Sequence, residues 1–102
     1  MSTYSIHRIC WLVHHDSAFR ERMRQDPAAA IADMRLTDQE RNAMLAGDVS
    51  TLALMGAHGY MLGLLSRHRV VGLDRDQYVQ RMRRAKELIS ARARDAGPDP
   101  ST

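Results

Sequence analysis

The residues able to do chemistry in this chain are few: five histidines, His7, His14, His15, His58 and His68, and one cysteine, Cys10. Imidazole and thiolate groups can hold a metal, and a cysteine beside a histidine can act as a nucleophile. The spacing argues against both. His14 and His15 are adjacent and diverge on a helix, there is no HExxH pair, and no acidic ligand accompanies the five at ligand spacing. A single cysteine excludes an internal disulfide and a multi-cysteine metal site, which suits a reducing compartment. Cys10 lies within an apolar run and reads as a small core filler. No GxSxG, paired-carboxylate motif or glycine-rich phosphate loop is present. No catalytic residue, and no metal or other cofactor bound by this chain, is therefore expected.

The elements that must position these side chains are helical, and they are organised around Leu36 to Leu65. Thr37 followed by Glu40 is a capping box that starts one helix. Gly47 offers a left-handed stop, Asp48 caps the next turn, and Val49, Leu52 and Met55 continue at helical spacing. Gly56 interrupts, and a buried helix then carries Tyr60, Met61, Leu64 and Leu65 as a broad apolar stripe. Upstream, Ile6, Ile9, Leu12 and Val13 mark one face of a first helix, with Tyr4 and Trp11 beside it. Asp16 caps a second, where Phe19 and Met23 stand four apart. Asp26 before Pro27 opens a short helix over Ala28 to Met34. Downstream, Ser66 to Gly72 is a polar, basic turn, and Asp74 opens a final amphipathic helix. In it Tyr78, Val79, Met82, Ala85, Leu88 and Ile89 alternate with Arg75, Arg81, Arg83, Arg84 and Lys86. No stretch alternates with period two. The expectation is an all-α fold: a small irregular bundle of about five to six helices without a sheet. It forms a single domain over residues 1–95, followed by a flexible tail at 96–102.

Composition narrows the function. A chain of 102 residues has room for one small core, and with 44% hydrophobic residues, 5% aromatics and seven Met that core is adaptable rather than stiff. The net charge of +3 comes almost entirely from Arg. It permits acidic partners, but with no groove-reading motif nucleic-acid binding is not expected, and the weaker idea that the Arg75 to Arg94 face meets nucleic acid stays secondary. No apolar run approaches bilayer length, and the first fifteen or so positions lack a signal-peptide layout, so a soluble cytoplasmic protein with no membrane contact is expected.

An ordered set of short motifs adds a resemblance. FRERM at Phe19 to Met23, DP at Asp26 and Pro27, LT at Leu36 and Thr37, and ER at Glu40 and Arg41 come first. AMLAGD from Ala43 to Asp48, GAHGYMLGLL from Gly56 to Leu65 and GLDRDQYVQRM from Gly72 to Met82 follow. Together they resemble the small alpha subunit of protocatechuate 4,5-dioxygenase, of the class III extradiol ring-cleavage family. The resemblance implies a helical, iron-free subunit whose large beta partner carries a non-heme Fe(II). It also implies an O2-dependent opening of a catecholic ring, with the small chain packed over the mouth of the active site and sharing the substrate with its partner. His58, Tyr60 and Met61 follow the Gly56 break and, with Leu64, are the residues expected at the substrate pocket or partner interface. The connection Ser66 to Val71 is shorter than the loop that such subunits carry there. A reading of the residues alone leaves a second class open: a free-standing helical interaction module that binds through its Met-rich face.

Overall fold

Residues 3–96 are described in the computed structural model of this chain, and they form seven α-helices with no strand among them. These are α1 (Thr3–His15), α2 (Ser17–Gln25), α3 (Pro27–Ala30), α4 (Asp38–Leu45), α5 (Val49–Leu54), α6 (Gly59–Arg67) and α7 (Arg75–Ala96). The fold class is all-α as expected, with one helix more than the upper expected number. The expected flexible tail from residue 97 onward lies outside the described residues.

The helix starts are built by the polar side chains that the sequence singles out. Asp16 accepts from the Phe19 N–H at 3.1 Å, and Asp26 accepts from the Ala29 N–H at 3.2 Å ahead of Pro27. In the capping box the Thr37 N–H donates to Glu40 Oε1 at 2.6 Å, and the Glu40 N–H returns to Thr37 Oγ1 at 3.1 Å. Asp48 takes both the N–H and the hydroxyl of Thr51, and Asp74 takes the Gln77 N–H at 2.8 Å. One boundary differs. The helix expected over Ala28 to Met34 closes at Ala30 after a single turn. The Arg41 guanidinium draws off the carbonyls of Ile31 and Met34, each at 2.8 Å, and the chain over these residues tightens into i→i−3 bonds.

Burial follows the apolar stripes of α1, α4, α5 and α6. Ile6, Ile9, Cys10 and Val13 pack into one cluster with Phe19, Met23, Met44, Leu52, Leu62 and Leu65. α1 and α6 lie side by side and run in the same direction. The Nε2 of His7 accepts from the His58 N–H at 2.9 Å near their starts, and the rings of His14 and His68 meet at 3.1 Å near their ends. α2 then closes the carbonyl ends of both. Arg20 donates to the carbonyls of Val13 and His14, and Arg24 donates to that of His68, which places cations where the helix dipoles are negative.

α7 is fastened to α5 and α6 by its first half only. Tyr78 lies beside Gly63 and donates its hydroxyl to the Gly59 carbonyl at 2.8 Å, and the Arg81 carbonyl accepts from Ser50 Oγ at 2.6 Å. Burial raises the Tyr78 phenol above its ordinary value of 10, which keeps it a donor at neutral pH. The turn from α6 to α7 is wound tightly. Arg69 and Val71 take φ of 54° and 49°, a strained choice for a β-branched side chain, and the burial of Val70 and Leu73 holds it in place. That turn presses on Gly47, whose φ of 66° ends α4 as expected and whose carbonyl accepts from Arg81 at 2.6 Å. Among the described residues no helix is long and apolar enough to cross a membrane.

A Cβ at Gly47 would stand 2.7 Å from the Val71 carbonyl. Gly47→Ala should therefore lower stability by about 2 kcal/mol or more, since left-handed backbone alone costs an L-residue about 1–2 kcal/mol. The measurement is the urea midpoint, and an unchanged midpoint would mean that the α6–α7 turn yields freely.

Candidate functional site

Cys10 is fully buried, as the core-filler reading expects, and burial pushes its thiol up to about 12. A thiol so far from ionisation is not a nucleophile at neutral pH. The imidazoles are engaged in holding the fold. His7 accepts from the backbone of His58, and His58 caps α6 by accepting the Tyr60 N–H on Nδ1 at 3.2 Å. His14 pairs with His68, and His15 lies against Trp11 with ring centroids 4.5 Å apart. Among the described residues no group of three or more His, Cys, Asp or Glu side chains is placed to hold a metal ion. Among the described residues, two histidines and one carboxylate, the set that commonly holds a non-heme Fe(II), do not come together.

The four residues expected at an interface or pocket part into two pairs. His58 and Tyr60 are on the outside, Tyr60 with 66% of its surface exposed. Met61 is half-buried against the core, and Leu64 is only 4% exposed. What the sequence reading did not single out is α1. Tyr4 is 68% and Trp11 50% exposed, and seven residues along a helix is close to two turns, so both stand on one outer face with Arg8 between them. Of one Trp, three Tyr and one Phe in the chain, most therefore stand in solvent on the adjacent helices α1 and α6. Aromatic side chains left outside a small core are the residues that dominate protein interfaces. The signal was available: Tyr4 and Trp11 fall off the stripe made by Ile6, Ile9 and Val13.

The His14–His68 contact is an electrostatic constraint as well as a tie. An N···N hydrogen bond needs one ring N–H and one bare nitrogen, so the contact cannot persist once both rings are imidazolium. Loss of water around the rings is the first reason that both values fall below 6.5. For His14 the charge of His15 comes next, then those of Arg67 and Arg20; for His68 the order is Arg20, His14, Arg24 and Arg67. The carbonyls that would favour imidazolium at these helix ends are already taken by Arg20 and Arg24.

The result is a helical scaffold with its thiol sealed inside, its imidazoles in structural use and its aromatic side chains outside. Residues 6–87 match the family model described as aromatic-ring-opening dioxygenase LigAB, LigA subunit. That span is most of the chain, and the chain belongs to this family of small dioxygenase subunits. No curated protein and no solved structure matched it. The resemblance read from the sequence thus holds at the level of the family, and the matched span begins within α1, takes in α2 to α6 and ends near the middle of α7.

Two outcomes follow from this geometry. Because the folded values of His14 and His68 are lowered, the folded state binds fewer protons than the unfolded chain just below pH 6.5. The stability due to the pair should be complete above that pH and fall away as the pH drops through it. Thermal melts from pH 7.5 to 5.5 should show this loss, and His68→Gln should flatten it. Separately, Leu64→Ala should cost about 2–5 kcal/mol, whereas Tyr60→Ala should stay within about 0.5 kcal/mol of the parent in the same denaturation assay.

Proposed function

We propose that this chain is the non-catalytic small subunit of an O2-dependent extradiol ring-opening dioxygenase, capping the active site of an Fe(II)-bearing large beta subunit. Membership of the LigA-subunit family supports this reading. The observation that carries it for this particular chain is the exposure of Tyr4, Trp11 and Tyr60 on α1 and α6, where a larger surface can cover them. Iron in the large subunit would supply the chemistry, acting as a Lewis acid on a catecholic substrate and on oxygen.

The contribution of this chain is closure. Tyr60 and Trp11 displace water from the seam between the subunits, and a drier site strengthens every charge interaction within it. His58 adds a donor. Its Nδ1 is committed to the Tyr60 N–H, so the neutral ring carries its proton on Nε2, free to meet an anionic oxygen of substrate or partner. Met61 packs against the core and Leu64 is buried, so these two set the position of the face rather than touch the catecholic ring. The short, pinned turn from His68 to Asp74 makes a poor lid, which leaves the α1–α6 face as the capping surface.

Coexpression with an extradiol dioxygenase large subunit is the test. The two should copurify and the ring-cleavage rate should change when this chain is present. Tyr60→Ala combined with Trp11→Ala should weaken the complex ~10-fold or more while the isolated chain melts normally. Failure of the parent chain both to copurify and to alter the rate would instead favour a free-standing interaction module.

A further inference from the structure

α7 leaves the body of the protein while it is still partly apolar. Ala85 is the last of its described side chains to be buried, yet Val79 is 43% and Ile89 47% exposed. Between α5 and α7 an open groove of about 790 Å³ is lined by Ala53, Tyr78, Val79, Met82, Lys86 and Ile89. Val79, Met82, Lys86 and Ile89 succeed one another at alternating steps of three and four, the repeat along which one helix packs on another. The family match ends at Glu87, so the far end of this groove lies beyond it.

The charge along the groove says what kind of helix fits. Arg83 also lines it, and neither the Arg83 nor the Lys86 side chain forms a hydrogen bond or ion pair with another described residue. Arg84 and Arg92 are exposed nearby, with Glu87 the acidic side chain between them. A second copy of this chain is a poor occupant. A two-fold contact centred on the groove would set Arg83 and Lys86 of one molecule against the same residues of the other. An ammonium covered by an apolar surface also needs a counter-charge, so the occupant has to bring carboxylates.

We propose that the α5–α7 groove docks an amphipathic helix of a partner protein, apolar where it meets Val79, Met82 and Ile89 and acidic where it passes Arg83 and Lys86. This goes beyond the dioxygenase reading, which places the large subunit on α1 and α6, and either can fail without the other. Lys86 is the only lysine in the sequence, which makes the contact addressable.

The probes are two synthetic amphipathic helical peptides with the same leucine stripe, one flanked by Glu and one by Lys, titrated against the full chain by fluorescence anisotropy. The Glu-flanked peptide should bind at least ~10-fold more tightly, and the difference should shrink as salt is raised. Arg83→Glu with Lys86→Glu should reverse the preference. Ile89→Asp, at an exposed position that leaves the helix melt unchanged, should abolish binding of both. A carbodiimide should cross-link the Glu-flanked peptide to Lys86, and Lys86→Arg should remove the cross-link but keep the binding. The proposal is overturned if the chain binds neither peptide or both equally. It is equally overturned if a single-stranded oligonucleotide binds as tightly as the acidic peptide and ignores Ile89→Asp, or if the free chain is a dimer that this substitution makes monomeric.

Discussion

Everything in this fold depends on the pairing of α1 with α6. Two short helices running in the same direction bring their negative carbonyl ends together, which is unfavourable unless cations are placed there. Arg20 and Arg24, one turn apart on α2, supply those cations by donating to the carbonyls of Val13, His14 and His68. The imidazole contacts at the two ends then set how far one helix can slide along the other. With that register set, Ile6, Ile9 and Val13 enter the same cluster as Leu62 and Leu65, and the outer faces of both helices are left to solvent.

The same arrangement puts four of the histidines to structural use. Each ring that faces another element is consumed in holding it, and the guanidinium groups around His14 and His68 oppose a further positive charge there. A divalent metal would meet the same repulsion. Exposed aromatic area on α1 and α6 is the kind of surface that protein interfaces use.

α7 plays the opposite part. Its first half is locked by Tyr78 against α6 and by Arg81 against the carbonyl of Gly47, so the helix is aimed rigidly from the body. Beyond Ala85 it carries Lys86, Leu88, Ile89 and Arg92 exposed. Two separate surfaces, aromatic on α1 and α6 and basic-aliphatic on α5 and α7, thus sit on one small scaffold.

Local chemistry was legible from the residues alone. Asp16, Asp26, Thr37 with Glu40, Asp48 and Asp74 act within three residues of themselves, so their roles as caps are written in the spacing, and Gly47 and Gly56 take the left-handed backbone that their positions suggest. The core stripes, the absence of a sheet among the described residues and the membership of the dioxygenase-subunit family were legible for the same reason: order and period survive without coordinates. The early end of α3 was not, because Arg41 reaches it from ten and seven positions away. Nor was the division of His58 and Tyr60 from Leu64, since one apolar stripe on α6 holds both buried and exposed members until α1 covers part of it. The outward stance of Tyr4 and Trp11 was decided in the same way. Which side of an amphipathic helix faces water is settled by the neighbour that packs against it, and that neighbour is chosen only when the chain closes on itself.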